Sequence, residues 1–221
     1  MDHNVNNLIE IEKEIQLKIL ENNNIIKKPE IIAVSKTFSV SDILPVINHG
    51  QVHFGENKVQ EALEKWESLK NDFKHIKLHM LGKLQTNKVK HVIKLFDYLH
   101  SLDNIKLAEK ISLEQKKNKK KLKIFIQVNI GDEDQKNGIS VDQLENFYKK
   151  CIHELGLNII GFMCLPPNND KTSFYFSEMN ILTKKFSLSE LSMGMSNDYI
   201  EAVKNNSTFL RIGSKIFGKR I

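Results

Sequence analysis

Cysteine is nearly absent from this 221-residue sequence, which holds Cys151 and Cys164 and no others. Two such thiols give neither a disulfide framework nor a zinc spacing, and that fits a reducing compartment. Proline is scarce at 4 and glycine modest at 10, with no Ser/Gly-rich linker, so the chain reads as one domain over 1–221. No apolar run approaches the ~18 residues that a membrane-spanning helix needs. The opening Met1-Asp2-His3-Asn4 is polar and lacks the apolar stretch of a secretory signal, so a cytoplasmic protein is expected. H-E-x-x-H and clustered carboxylates are missing too, and no metal is expected. The strand histidines His53, His79 and His100 read as paired core or rim imidazoles rather than ligands.

What is present is an ordinary globular composition, 40% hydrophobic and 27% charged, which rules out wholesale disorder. Lys and Arg outnumber Asp and Glu by 33 to 27, a net charge of +6. The densest basic stretch, Lys116 to Lys123, has no arginine and no interleaved aromatics. It reads as a solvated link between a helix and a strand, and no nucleic-acid partner is expected.

The apolar residues Leu8, Ile11, Ile15 and Ile19 recur at three- and four-residue spacing, which predicts a leading amphipathic helix within 1–24. The run Glu30 to Ser35 is short, apolar and β-branched, as a buried parallel strand should be. Strand and helix signals then alternate to the end. Strands are expected near 51–54, 76–81, 98–101, 122–128, 158–163, 190–193 and 208–212. Helices are expected at 40–48, 58–71, 86–96, 105–115, 141–155, 174–185 and 198–205. About eight strand–helix units in this length predict a single (β/α)8 TIM barrel, starting at about residue 30, preceded by an extra helix. An open doubly wound sheet is the competing topology, and the lack of G-x-G-x-x-G after the first strand weakens its dinucleotide-binding version.

Barrel sites form at the C-terminal ends of the strands. Lys36 ends an otherwise apolar strand, where its ammonium has to be solvated, paired or neutralised. Three readings of it stand open: a side chain reaching solvent, a partner for a substrate carboxylate or phosphate, and an amine that forms a Schiff base with a carbonyl such as pyridoxal phosphate. Around strands seven and eight, Ser192, Arg211, Gly213 and Ser214 supply hydroxyls, a guanidinium and free backbone N–H groups suited to a phosphate and a pyridine ring.

The segments IIAVSKT (31–37), HFGENKVQEAL (53–63), HMLGKLQTNK (79–88), HSLD (100–103), QVNIGDEDQKNGI (127–139), GFMCLP (161–166), LSMGMSNDYIEAV (191–203) and TFLRIGSKIFGKR (208–220) resemble, in order, those of the pyridoxal phosphate homeostasis proteins. The resemblance runs from residue 31 to the C-terminus. It implies a barrel like the N-terminal domain of alanine racemase, holding one pyridoxal 5'-phosphate. By that resemblance Lys36 forms the Schiff base, N6-(pyridoxal phosphate)lysine, and Arg211 faces the pyridine nitrogen. Ser192, Gly213 and Ser214 hold the phosphate, Asn57 lies beside the ring hydroxyl, and Met163 packs near the ring. Gly131, Leu102, Leu165 and Asn206 depart from the family pattern. Asn206 takes a usual glycine position, and asparagine tolerates the left-handed backbone that this implies.

An arginine cannot give the pyridine nitrogen a proton, which argues against carbanion chemistry that uses the ring as an electron sink. Tyr98, Tyr148, Tyr175 and Tyr199 fall at strand starts or helices, away from the place of a second acid/base. The sequence therefore reads as a cofactor carrier without robust turnover, acting as a monomer in pyridoxal phosphate homeostasis, with apo pyridoxal-phosphate enzymes as acceptors. The alternative is an amino-acid racemase or another fold-type III enzyme. Lys58, Lys83, Lys88 and Lys136 are candidates for a basic rim.

Overall fold

The computed structural model describes residues 2–133, 137–167 and 169–218. Helix α1 (His3–Glu21) starts where the Asp2 carboxylate accepts from the Asn4 and Val5 N–H groups at 2.9 and 3.3 Å. Its apolar stripe, Val5, Leu8, Ile11 and Ile15, is buried.

Eight parallel strands then close on themselves in chain order: β1 (Glu30–Val34), β2 (His53–Glu56), β3 (Lys77–Met80), β4 (Tyr98–Leu102), β5 (Lys123–Val128), β6 (Ile159–Cys164), β7 (Glu190–Met195) and β8 (Phe209–Ile212). Closure is made by β8 pairing with β1, which sets Ile32 beside Arg211. Helices α2 (Val40–Asn48), α3 (Val59–Asp72), α4 (Val89–Leu95), α5 (Ile105–Asn118), α6 (Leu144–Lys149), α7 (Thr172–Lys185), α8 (Tyr199–Lys204) and α9 (Ser214–Phe217) surround them. Ser39 caps α2 in a capping box with Asp42.

This is the expected eight-unit barrel with a leading helix, and three elements differ in detail. Strand β2 sits two residues later than the apolar count suggests, so Glu56 belongs to the strand and is fully buried. A carboxylate there is tolerated because three donors meet it. The helix expected at 141–155 begins at Leu144 and changes to a π-helical turn at Lys150–Glu154. Helix α9, a single turn after Gly213, carries too few residues for a periodic signal.

One apolar core lies between the sheet and the helices, and a smaller one fills the lumen around Ile32, Val34, Tyr98, Phe125, Met163 and Phe209. Gly161 lets β6 and β7 approach, since a Cβ there would lie 1.9 Å from the Glu190 carbonyl oxygen. Asn206 adopts a φ of 63°, so asparagine does hold the left-handed turn. The lysine stretch runs from the last turn of α5 through a short link to the first residue of β5, with Lys116, Lys117, Lys119, Lys121 and Lys123 exposed and Lys119 itself left-handed. Among the described residues no helix is long and apolar enough to cross a membrane.

Candidate functional site

A cavity of about 750 Å³ opens at the C-terminal mouth of the barrel, within the range of small-molecule sites. Lys36, Asn57, Met163, Arg211, Gly213 and Ser214 all line it, brought together from β1, β2, β6 and β8 and the loops that follow them. Leu165, Pro166, Pro167, Thr172, Met195, Ser196, Asn197 and Asp198 complete one wall. Lys36 is half-buried just past β1.

The chain around Lys36 is braced from behind. Ser35 Oγ–H donates to Glu56 Oε1 at 2.8 Å, and Lys65 Nζ donates to the Ser35 carbonyl at 2.8 Å. Lys65 also meets Glu56 Oε1 at 3.0 Å and Glu61 Oε1 at 3.1 Å, while Trp66 Nε1–H reaches Glu56 Oε1 at 2.9 Å. Glu61 accepts from the Thr37 N–H. Thr37 has a φ of 70°, an uncommon value for a β-branched residue, so the carboxylate helps to hold a sharp bend right after Lys36. Asn57 is positioned by backbone packing: a Cβ on Gly82 would fall 2.2 Å from the Asn57 carbonyl oxygen.

Arg211 is buried, with its guanidinium directed by two acceptors. Nη1 donates to Ser192 Oγ at 2.6 Å and Nη2 to the Cys164 carbonyl at 2.8 Å. Ser192 does not line the cavity. It is fully buried in the third position of β7, beneath the mouth, and its hydroxyl is engaged by Arg211 and His100. Ser192, expected among the phosphate-holding residues, thus stands behind the arginine rather than among the lining residues. The hydroxyl that does reach the cavity from this unit belongs to Ser196, just past the end of β7. Its Oγ accepts from the Gly213 and Lys215 N–H groups at 3.4 Å, so it sits among the backbone donors after β8.

Of the candidate rim lysines, Lys58, Lys83 and Lys88 do not line the cavity, and Lys136 lies outside the described residues. Lys83 donates to Asn137 Oδ1 at 2.8 Å. Burial pushes the Cys151 and Cys164 thiols up to about 12, which keeps them protonated and unreactive. Among the described residues no tyrosine lines the cavity; the Tyr199 hydroxyl bonds Glu14 and Lys215 on the outer face of the barrel.

The profile of the alanine racemase N-terminal domain matches residues 14–220. A pyridoxal phosphate homeostasis protein of Haemophilus influenzae is 33% identical, over 100% of this chain and 96% of its own. One from Pasteurella multocida is 35% identical, over 97% and 96%. The solved structure of PipY from Synechococcus elongatus, with pyridoxal phosphate bound, matches with a TM-score of 0.79 at 29% identity, covering 92% of this chain and 100% of that one. Alanine racemase of Corynebacterium glutamicum shares the fold, with a TM-score of 0.64 at 14% identity over 95% of this chain and 61% of that one. The chain belongs to the alanine racemase N-terminal domain family, in the branch of the pyridoxal phosphate homeostasis proteins.

Proposed function

We propose that this protein binds pyridoxal 5'-phosphate at the barrel mouth and serves to buffer and deliver it, with Lys36 as the Schiff-base lysine. The observation that carries this reading is the convergence of an amine, a guanidinium and a donor-rich turn on one cavity. The residues present fit the group. Arg211 offers a directed cation at the cavity floor, and Ser196, Gly213 and Ser214 give hydroxyls and N–H groups for an anion. Asn57 and Met163 face the space between.

When bound, pyridoxal phosphate supplies an aldehyde that condenses reversibly with an amine, releasing water. The protein's own residues hold that amine in place, through the Ser35–Glu56–Lys65 brace, and fix the anion beside it, at the turn after β8, the strand that pairs with β1. Arg211 donates only and gives the ring nitrogen no proton. That favours storage over turnover. The two buried free thiols fit a reducing compartment such as the cytoplasm. Apo pyridoxal-phosphate enzymes are the proposed acceptors, and a monomer suffices because the cavity is assembled within one chain.

The test is an absorbance spectrum of the purified protein loaded with pyridoxal phosphate, then borohydride reduction and peptide mapping. A yellow protein that bleaches, with the pyridoxyl group on Lys36 and none in Lys36→Ala, is expected; an adduct elsewhere overturns the assignment. The alternative is a racemase, favoured by the shared fold. Amino-acid racemisation at ~1 s⁻¹ or faster, an ordinary enzymatic rate, would replace the carrier reading with it.

A further inference from the structure

Three histidines run through the barrel lumen and end on Arg211. His53 Nδ1 lies 2.8 Å from His79 Nε2, and His79 Nδ1 lies 2.8 Å from His100 Nε2. His100 Nδ1 then meets Ser192 Oγ at 2.9 Å. The strand register builds this staircase: His53 is paired with Lys77, and His79 with Tyr98, so each step from β2 to β3 to β4 climbs two residues. His79 stacks on Tyr98 with centroids 4.1 Å apart, and His100 on Phe125 at 4.3 Å. At the other end, His53 lines a pocket of about 270 Å³ at the N-terminal base of the barrel, with Lys27, Glu30, Tyr98, Lys123 and Glu190.

We propose that His79 and His100 are positioning residues for Arg211, and that the whole chain has one hydrogen-bond direction, each ring carrying its proton on Nε2. The direction follows from the donors. A guanidinium only donates, so Ser192 Oγ accepts from Arg211. The Ser192 hydroxyl proton then goes to His100 Nδ1. A neutral His100 must keep its proton on Nε2, which donates to His79 Nδ1. His79 in turn donates from Nε2 to His53 Nδ1, and the His53 Nε2–H points to the basal pocket. The opposite direction would leave a buried serine hydroxyl without an acceptor, which is unfavourable.

A cationic His79 would donate from both ring nitrogens and reverse the order at His100, and a cationic His100 would set a second cation beside Arg211. The surroundings oppose it. Burial holds His79 and His100 well below the ordinary histidine value, with His100, His53, Lys123 and Lys70 adding to the effect at His79 and Arg211 and His53 at His100. At His53 burial again dominates, Glu30 and Asp97 act the other way, and Lys77 and Lys123 act with it. The chain thus links the base of the barrel to the floor of the mouth cavity through neutral imidazoles. That Arg211 serves a bound cofactor rests on the function proposed above; the order of the chain does not.

The experiment is two-bond ¹H–¹⁵N NMR of the histidine rings in the full-length protein, with and without pyridoxal phosphate. All three rings should be Nε2–H tautomers, and His79 and His100 should not titrate from about pH 8 to 5, where free histidine does. An Nδ1–H tautomer or a titrating ring at either inner position overturns the proposal, and the wild-type protein alone suffices for this measurement. A second arm follows the Arg211 guanidinium protons in His79→Leu and His79→Gln. The leucine variant should shift them and loosen pyridoxal phosphate binding about fivefold, the worth of one net hydrogen bond. Glutamine, which both donates and accepts, should restore both. Unshifted guanidinium protons in a folded His79→Leu protein would also overturn the positioning role. Because tautomers are read without cofactor, loss of this result and loss of the cofactor reading are separable.

Discussion

Replacing Lys65 with methionine isolates the buried brace behind Lys36. The Lys65 side chain is 8% exposed and Glu56 is fully buried, and their 3.0 Å pair is joined by Ser35 and Trp66 on the same oxygen. Removing the ammonium leaves a buried carboxylate with two neutral donors and no counter-charge, and breaking such a pair costs about 3–5 kcal/mol. In a chain of this size each kcal/mol moves the melting midpoint by roughly 2–4 °C, so Lys65→Met should melt about 6–20 °C below the wild type. The Ser35 carbonyl also loses its 2.8 Å donor, so the bend carrying Lys36 should loosen and the variant should hold pyridoxal phosphate more weakly. The double variant Lys65→Met/Glu56→Gln removes both charges and keeps the acceptor for Ser35 and Trp66, so it should regain at least half of the lost stability. Urea titrations of the four proteins give the coupling. A loss below ~1 kcal/mol for Lys65→Met, or a double variant no better than the single one, would refute the view that the pair is locked by burial.

Acid should weaken the fold through His79 and His100. Their folded values lie well below the unfolded value near 6.5, so the unfolded chain binds protons that the folded one refuses. Their share of stability is intact above that value and falls by about 1.4 kcal/mol per pH unit per ring below it, continuing down to the folded values. Urea midpoints that stay flat from pH 7 to about 5 would contradict this. Gly161→Ala should destabilise strongly or prevent folding, since its Cβ would meet the Glu190 carbonyl at 1.9 Å; expression and melting curves decide. Arg211→Glu should shift the absorption band of the loaded protein by letting the ring nitrogen keep a proton, and an unchanged spectrum and titration would place Arg211 away from the ring.

Much of this was legible in the sequence because the barrel repeats one local signal, a short apolar run followed by an amphipathic helix. Lys36, Arg211, Gly213 and Ser214 could be grouped from their positions at strand ends, Asn57 and Met163 joined them through the family resemblance, and the cavity gathers all six. The two serines of the segment 192–196 could not be sorted by residue type. What separates them is depth: Ser192 lies inside β7 and Ser196 beyond it, with Gly194 at a φ of 88° between. The rule that selects Lys36 and Ser214, a polar residue just past the strand, would have selected Ser196 as well. The three histidines read as paired core groups, and they are paired, but with one another. That depends on the register between neighbouring strands, which no local window contains.

The closure of β8 against β1 has a consequence for how the protein comes into being. The seam that joins them unites segments from opposite ends of the sequence, Glu30 with Phe209 and Ala33 with Ile212. Helix α1 adds to the same seam, with Asn7 donating to the Ile216 carbonyl at 2.8 Å and Glu14 meeting Lys215 at 3.0 Å. Contacts so distant along the chain form slowly, and a ribosome delivers the N-terminal partner long before its mate. Lys36 and Arg211 flank that seam, so a nascent chain can display the amine for most of its synthesis without the strand that completes the cavity beside it. The cavity that gathers both residues is then completed in one step, with the last strand.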